Sequence, residues 1–517
     1  MSKGFPLSQN TASSTGTAGG HGSNSHAHVP SWAVLAVACA AQFMVVLDIS
    51  IVNVALPKMQ QGLHMTPSQL QWVVNAYALT FAGFLLFGGR AGDLFGRKKV
   101  FLIGLTIFTG ASLVGGFAHS GTMLEISRAV QGLGAAILAP STLSLLTTTY
   151  TEQRARARAL GIWSATAGSG GAFGAMAGGI LTDELSWRWV LFVNVPIGAL
   201  LFAAAAVALR ESKGQVRSIA GLDIPGTLTV TAGLATLTYG VVSTNEHPWG
   251  SARTLTTLAI AVALIAAFFF IERRSSQPMV PLGIFKNRTL SSANGIAVTI
   301  GAAMFSMFFF LSLYMQNVLH YSALKAGFAF LPGALFIIAG ATTASKLVSS
   351  VGPRRLLLVG ATLSTIGLWW LSRLPSSGNY FVHVFPPLLI VCLGMGLSLV
   401  PMTVAGTSGV DRSQAGLASG LLTTTRQVGG ALGLAVLATI ATSRSNHVLG
   451  SLGAQATSPQ KAHALTAGFD RAFIVGGFIA LIGGLLALTL PSRADHVATV
   501  EQSARDHAPA EPVAVDS

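Results

Sequence analysis

The sequence predicts an all-α membrane protein with 14 transmembrane helices. Of its 517 residues, 51% are hydrophobic and only 9% are charged, whereas about 25% of the residues of a soluble protein carry a charge. Apolar stretches of about 20 residues, the length that crosses a bilayer, recur along the chain. Basic residues also concentrate on one side of the resulting topology, as they do in membrane proteins.

The length rule places one predicted span on each long apolar stretch. Two of the spans have a weaker signal than the others. The eighth stretch is short, and the thirteenth begins with small polar residues. In chain order, the predicted spans are 32–56, 70–89, 99–118, 122–148, 159–182, 189–209, 224–244, 255–271, 293–317, 326–349, 355–373, 384–408, 414–442 and 469–490.

The positions of the basic residues orient these spans. If both termini share one side, that side holds 21 of the 31 Lys and Arg residues, the other side holds 8, and Arg128 and Arg426 lie within spans. Positive residues stay in the cytoplasm, so both termini are predicted to be cytoplasmic. The net charge of +14 therefore reflects membrane topology and does not predict nucleic-acid binding.

The two ends of the chain, residues 1–31 and 491–517, are predicted to be disordered cytoplasmic tails. Residues 1–30 are rich in Ser, Gly, Thr and His and have almost no aliphatic side chains, so they cannot bury a core. Neither the histidines of this tail nor the two cysteines, which fall in apolar spans, predict a metal site.

Asp48 is a single carboxylate in the outer half of span 1. Holding an ionised acid in hydrocarbon costs at least ~2.5 kcal/mol, so such an acid indicates a function. Removal from water favours the neutral, protonated form of an acid. Proton binding is therefore the first candidate function for Asp48.

The segment that joins spans 2 and 3 reads Gly-Arg-Ala-Gly-Asp-Leu-Phe-Gly-Arg-Lys-Lys from residue 89 to residue 99. Its glycines permit a tight turn between helices that approach closely. Its charges can pair across a cytoplasmic interface and separate when that interface opens. The residues predicted to form this cytoplasmic gating motif are Gly89, Asp93, Gly96, Arg97 and Lys98.

A degenerate copy of this segment lies between spans 10 and 11. It consists of Lys346 and Leu347, followed by Gly352-Pro353-Arg354-Arg355, and it lacks the acid. The same cytoplasmic turn in each half indicates an internal duplication, which many secondary transporters contain.

These residues resemble the signature loop of the major facilitator superfamily and, more narrowly, of its fourteen-span drug:proton antiporter family. The resemblance covers about residues 32–490. Further segments similar to motifs of that family are Leu47–Pro57 in span 1, Arg128–Gly134 in span 4, Ser186–Gly198 at the entry to span 6 and Arg426–Gly430 in span 13.

The resemblance implies a major facilitator fold of two six-helix bundles plus two extra central spans. The N-terminal bundle would be 32–210, the two extra transmembrane helices 211–275, and the C-terminal bundle 276–490. The extra pair should lie at the periphery and should not line a substrate cavity.

The resemblance also implies a function, proton-coupled secondary active export of drug-like or antibiotic small molecules by alternating access. The proton would be the coupling ion, and no cofactor is expected. The expected partners are a small amphipathic or cationic drug, protons and the lipid bilayer, with no nucleic acid. The protein would be a monomer in a bacterial inner (cell) membrane, with both termini cytoplasmic.

Span 5 departs from the antiporter motif of the family. It has the expected glycines, and their small-xxx-small spacing lets the helix pack tightly on a neighbour. Ala175 stands where a proline is expected, which removes an expected kink. A proton-coupled importer or a metabolite exporter therefore remains an alternative. The antiporter-motif glycines of span 5 are Gly170, Gly174, Gly178 and Gly179.

Asp48 and Arg128 are predicted to lie at similar depths. At helical rise, Asp48 lies about 12 Å below the outer end of span 1 and Arg128 about 9 Å below the same end of span 4, and the family fold places the two helices side by side. Our hypothesis is that Asp48 alternates between a protonated state and a charged state held by Arg128. The alternative is a permanent structural ion pair. Glu125, one turn from Arg128, is placed at the interface.

Five further residues are candidates for a substrate cavity: Asn53, Trp163, Tyr314, Gln316 and Arg426. Lipid-facing or interfacial positions are equally compatible with Trp163, Tyr314 and Gln316, and backbone carbonyls are the favoured partners of Arg426. With one acid deep in a span, we expect neutral, zwitterionic or monovalent cationic substrates.

Two other classes of protein are alternatives to a transporter. A multispanning membrane enzyme would need clustered nucleophiles, acids, bases or metal ligands at one face, and the loops contain no such cluster and no Gly-Lys-Ser/Thr of a nucleotide-binding loop. A nonconducting sensor is the remaining alternative, which a measurement of proton-dependent flux would exclude.

Overall fold

The computed structural model describes residues 31–209, 223–245, 247–275, 277–408, 410, 414–452 and 457–491. The predicted tails lie outside these ranges, apart from their innermost residues. Every regular element of the described ranges is helical, which confirms the all-α prediction. The helices are α1 (Ser31–Gly62), α2 (Pro67–Phe95), α3 (Arg97–Gly116), α4 (Gly121–Thr149), α5 (Gln153–Glu184), α6 (Trp189–Phe192), α7 (Asn194–Ala208), α8 (Ile224–Val242), α9 (Ala252–Arg274), α10 (Arg288–Leu313), α11 (Ala323–Val351), α12 (Pro353–Leu371), α13 (Phe385–Thr407), α14 (Ala415–Leu452) and α15 (Ser458–Ala487).

Within the described ranges, 11 helical segments are long and apolar enough to cross a membrane. Three further long helices, α5, α8 and α12, occupy the positions of predicted spans 5, 7 and 11 but do not meet that criterion. The count of 14 therefore stays a prediction. Helices α14 and α15 extend well beyond the apolar stretches at 414–442 and 469–490, because polar turns at their outer ends continue the helix.

Several helices begin where side chains satisfy the free backbone N–H groups of the first turn. Thr66 and Gln69 form a reciprocal capping box at the start of α2, with Pro67 as the first helical residue. Thr457 and Gln460 repeat the arrangement at the start of α15. These caps fix the first turns of α2 and α15.

The helices pack as two bundles joined along two seams. We call α1–α7 the N-terminal bundle and α10–α15 the C-terminal bundle, and we use "outer" and "inner" for the ends that the charge distribution predicts to be extracellular and cytoplasmic. Helix α5 packs on α11, and α2 packs on α14, so each seam joins the two bundles.

Helices α8 and α9 pack on each other, and α8 also contacts α2 and α14. Only 11% of the apolar window of α9 is buried, so α9 lies at the periphery.

The gating motif is mostly helical, which corrects the expectation of a loop between spans 2 and 3. Helix α2 continues to Phe95, and the chain reverses at the single residue Gly96, with φ 98° and ψ 131°. Gly352 makes the same reversal between α11 and α12, with φ 86° and ψ 153°. Such angles are essentially restricted to glycine. The two turns therefore support the predicted duplication at the level of backbone geometry.

We expect Gly96→Ala to destabilise the protein by about 1–3 kcal/mol, because a Cβ atom is strained at this positive φ. The measurement is thermal unfolding of the purified protein in detergent. Gly89→Ala is the matched control, since a Cβ atom there would lie 3.6 Å from Pro140, an ordinary contact. Equal stability of the two variants would contradict the role assigned to Gly96.

Candidate functional site

The deepest polar site of the N-terminal bundle is an ion pair between α1 and α4. Arg128 donates from Nη1 to Oδ2 of Asp48 at 2.6 Å. The Asp48 side chain is fully buried, and that of Arg128 is 2% exposed. The structure thus places the two charges that the sequence located at similar depths in direct contact.

Three uncharged polar side chains complete the surroundings of Asp48. Gln131 donates from Nε2 to Oδ1 of Asp48 at 2.6 Å, and Asn194 of α7 donates to the same oxygen at 2.9 Å. Gln131 also donates to the Ser112 hydroxyl of α3 at 2.7 Å. Helices α1, α4 and α7 therefore meet at one carboxylate, and Ser112 of α3 bonds to its two amide donors. Gln131 and Asn194 were each part of a quoted motif, but the sequence analysis assigned them no role.

Arg128 is also satisfied by groups other than Asp48. Its Nε donates to the carbonyl oxygen of Val73 at 3.2 Å, and Nη1 donates to Gln131 at 2.6 Å. The guanidinium carbon lies 4.4 Å from the ring centroid of Tyr77, within cation–π range. Glu125 is only half-buried and forms no ion pair with Arg128 in the described structure.

Two effects act in opposite directions on a carboxylate in these surroundings. Hydrogen bonds from charged and amide donors favour an ionised carboxylate, while burial favours the neutral acid. Removing one partner of a buried ion pair typically costs about 3–5 kcal/mol, so Asp48 and Arg128 can part only when another interaction compensates. A proton on Asp48 is one such compensation, because it removes the charge that Arg128 holds.

The glycines of span 5 place α5 directly on the segment of α1 that carries Asp48. A Cβ atom added at Gly170, Gly174 or Gly178 would lie 2.7–3.2 Å from a carbonyl oxygen of α1. The hydroxyl of Ser50 donates to the carbonyl oxygen of Gly171 at 2.6 Å. Close approach of two backbones is what small residues at this spacing allow.

Gly179, the fourth glycine of the span 5 motif, faces the other bundle. A Cβ atom there would lie 2.6 Å from Cα of Leu324 in α11. A Cβ atom on Gly327 of α11 would likewise collide with the carbonyl oxygen of Ala175. Helix α5 runs without interruption from Gln153 to Glu184, so Ala175, in place of the expected proline, lies in continuous helix.

Hydrogen bonds between the bundles form at the outer ends of the helices. We call this group the outer closure. Asp183 accepts from the backbone N–H of Ala323 at 3.2 Å and of Leu324 at 2.7 Å. Ser312 donates to the carbonyl oxygen of Asn53 at 2.7 Å, and Gln316 donates to that of Val54 at 2.8 Å. In the described residues, no hydrogen bond joins the inner halves of α5 and α11. The two bundles are therefore fastened at the outer face along this seam.

The remaining predicted cavity residues take several positions. Tyr314 is fully buried and donates to the carbonyl oxygen of Pro375 at 2.7 Å, so it lies in the packed core and does not line a cavity. Gln316 belongs to the outer closure, and the side chain of Asn53 donates to the carbonyl oxygen of its own helix. Trp163 donates to the Thr142 hydroxyl of α4 at 3.1 Å.

Arg426 is half-buried in α14. It forms no hydrogen bond or ion pair with a described residue, so the expected backbone carbonyl partners are not found there.

Asn75 of α2 is another polar residue that lacks partners. Its side chain is fully buried, and neither its amide nitrogen nor its oxygen has a described partner.

The charged side chains of the gating motif form contacts at the inner ends of α2 and α3. Asp93 accepts from Arg97 at 3.3 Å within the motif, and the Asp93 side chain is 62% exposed. Lys98 donates to the carbonyl oxygen of Ala206 at 2.6 Å. Arg90, which was not singled out, donates to the carbonyl oxygens of Gln277 and Pro278 at 3.1 and 3.0 Å and so holds the segment that leads into the C-terminal bundle.

Comparison with protein families places most of the chain in one of them. Residues 38–434 match the family described as Major Facilitator Superfamily. The chain is 45% identical over 412 residues to the cephamycin export protein CmcT of Amycolatopsis lactamdurans, covering 78% of this chain and 84% of that protein. It is 37% identical to the puromycin resistance protein pur8 of Streptomyces alboniger, covering 89% and 91%. It is 33% identical to the tetracenomycin C resistance and export protein of Streptomyces glaucescens, covering 86% and 82%.

Solved structures share the fold at low sequence identity. The peptide transporter POT in complex with sulfate superimposes with a TM-score of 0.63 at 16% identity, covering 88% of this chain and 95% of that one. A bacterial homolog of the human lysosomal transporter Spinster, in an inward-facing and unoccupied conformation, also gives 0.63 at 14% identity, covering 91% and 98%. These similarities establish the architecture.

Proposed function

Because this chain belongs to the Major Facilitator Superfamily, and is a membrane transporter and not an enzyme, we propose that it exports drug-like or antibiotic small molecules in exchange for protons. The observation that carries the proposal is the buried carboxylate of Asp48, held by Arg128, Gln131 and Asn194. An acid in this setting can be neutralised by a proton and re-formed when the proton leaves.

In the proposed cycle, Asp48 binds a proton from the outside while the outer closure is open. Loss of the negative charge weakens the hold on Arg128 and permits the bundles to rock about the two seams. Substrate binding from the inside then favours release of the proton to the cytoplasm. The gating motif and the Gly96 turn would close the inner face when the outer face opens.

The direction of export is supported by the relatives, whose names describe export of or resistance to antibiotics. The driving force is adequate. One proton moving down 100 mV releases about 2.3 kcal/mol, and each pH unit adds about 1.36 kcal/mol. Together these sustain a gradient of a neutral substrate of roughly a few hundredfold, at about 1.4 kcal/mol per factor of ten.

The same proposal includes the setting of the protein. The transporter would be a monomer in a bacterial inner membrane, with both termini in the cytoplasm, and would require no cofactor besides the proton. The clustering of Lys and Arg on one side of the spans supports this orientation.

The test uses a bacterial host that lacks its own drug pumps. Cells expressing the protein are challenged with a cephamycin, puromycin, lincomycin and ethidium, with and without a protonophore. We expect at least one compound to accumulate about tenfold less in expressing cells and the difference to disappear with the protonophore. Accumulation that is unchanged for the whole panel, or that rises with expression, would instead favour the importer or metabolite-exporter alternative. Inverted vesicles then fix the direction of coupled movement.

A further inference from the structure

Arg426 lies near the middle of the C-terminal bundle. It follows 11 residues after the start of α14 at Ala415, about 17 Å along the helix at 1.5 Å per residue. Its carbonyl oxygen lies against Gly301 of α10, and the Phe305 ring lies over Gly430 one turn further out. The residue therefore sits at the depth of the central turns of α10, far from both helix ends.

The other buried or half-buried arginines of the described spans and their ends show what a satisfied guanidinium looks like in this chain. Arg128 has a carboxylate, an amide, a backbone carbonyl and an aromatic ring. Arg188 donates to the carbonyl oxygens of Gly116 and Ala118 at 3.0 and 2.6 Å and lies over the Trp187 ring. Arg426 has no partner of these kinds among the described residues, and its side chain is half-buried.

No described acid neutralises this guanidinium. The ion pairs found between described residues are Arg97 with Asp93 and Arg128 with Asp48. Asp183 caps α11 at the outer closure. Asp470 of α15 is half-buried and forms no ion pair with a described residue. The Asp48 and Arg128 charges cancel, whereas Arg426 has no partner of opposite charge among the described residues.

We propose that Arg426 is the recognition group for a carboxylate on the exported molecule, so that the substrates include monoanionic drugs. This inference rests on the proposed drug-export function and names its substrate class. It replaces the expectation from sequence of neutral, zwitterionic or cationic substrates. That expectation rested on the single acid deep in a span and on backbone carbonyl partners for Arg426, and no described residue supplies such a partner.

The chemistry of arginine favours this ligand. A guanidinium stays protonated at any pH a cell reaches and presents a planar fork of donors that binds a carboxylate through two parallel hydrogen bonds. A charge at bilayer depth that lacks a partner is costly and marks a substrate path or a ligand site in membrane proteins. A bound carboxylate removes that cost, whereas a cationic substrate would increase it.

The experiment measures binding apart from transport. Thermal stabilisation of the detergent-purified protein is titrated with cefoxitin, which carries one carboxylate, and with its methyl ester, which has none. We expect the acid to stabilise the wild-type protein at about tenfold lower concentrations than the ester. Arg426→Gln should abolish that difference, while Arg426→Lys should retain part of it, because a lysine supplies the charge without the fork. Arg444→Gln, an exposed position on the same helix, is the matched control and should behave as the wild type.

Three results would overturn the inference: equal binding of acid and ester by the wild type, no stabilisation by the acid, or a preference for the acid that survives in Arg426→Gln. The first two need no variant, so a failure of Arg426→Gln to fold leaves the test decisive. Protonophore-sensitive export of the four-compound panel in cells is scored separately. If that export is found while the preference for the acid is absent, the substrate class is wrong and the export function stands.

Discussion

Asp48→Asn is expected to abolish concentrative export while leaving the protein folded. Asparagine keeps the size of the side chain and can still accept a hydrogen bond from Arg128, but it cannot take up a proton. The gradient sustained by a membrane potential of 100 mV and one pH unit should therefore fall from roughly a few hundredfold to none. Proteoliposomes loaded with substrate and energised with an acid exterior measure this directly.

Exchange of labelled for unlabelled substrate, measured without a proton gradient, tests whether the variant still moves its substrate. We expect that exchange to persist in Asp48→Asn. Glu125→Gln is the matched control, because Glu125 is an acid on the same helix as Arg128 that lies near the outer end of α4 and takes no part in the ion pair. Proton-driven accumulation at the wild-type rate in Asp48→Asn would show that the pair with Arg128 is a permanent structural element.

The second large effect is expected for Gly179→Leu at the contact of α5 with α11. A Cβ atom alone would lie 2.6 Å from Cα of Leu324 and 2.8 Å from the carbonyl oxygen of Ala323. Overpacking of this kind costs about 1–3 kcal/mol. Since this contact lies at the outer closure, we expect opening of the outer face to relieve the clash. The population of the closed conformation should then fall by roughly ten- to a hundredfold, and export should fall with it.

The opening is followed with a thiol reagent that cannot cross the membrane. Val54→Cys places a thiol at a buried position of the outer closure, where Val54 is 1% exposed, and the native cysteines are both buried. Labelling from outside should accelerate in the Gly179→Leu background. Gly171→Leu is the control on the same helix, since a Cβ atom there meets nothing within 4 Å. Similar labelling in the two backgrounds would mean that this contact does not govern closure.

The sequence predicts the helices and the central ion pair well because both depend on one-dimensional quantities. Apolar length locates the spans, and the number of residues from a span end gives the depth of Asp48 and Arg128. Both are insensitive to how each helix is rotated. The signature residues Gly96 and Gly352 are also readable, since only glycine adopts the backbone angles of those turns.

The rest of the site depends on rotation and on contacts between distant helices. Tyr314 and Gln316 were candidates for a cavity, but one faces the core and the other faces α1, a difference that depth cannot reveal. The sequence assigned no role to Asp183, yet it caps the first turn of α11 in the other bundle. Asn194 offered a weak signal, an amide inside an apolar run, and its contact with Asp48 required the path of α7 to be known.

The outer closure is built almost wholly from side chains that bind main-chain groups, and a single carboxylate, Asp183, takes part in it. Dissolved ions screen attraction between exposed charges but have little effect on a hydroxyl or an amide bound to a carbonyl oxygen. The face that the charge distribution predicts to be extracellular should therefore close equally well at low and at high salt concentration. The exposed Asp93–Arg97 pair lies on the opposite face, which is predicted to be cytoplasmic, and dissolved salt should weaken that pair.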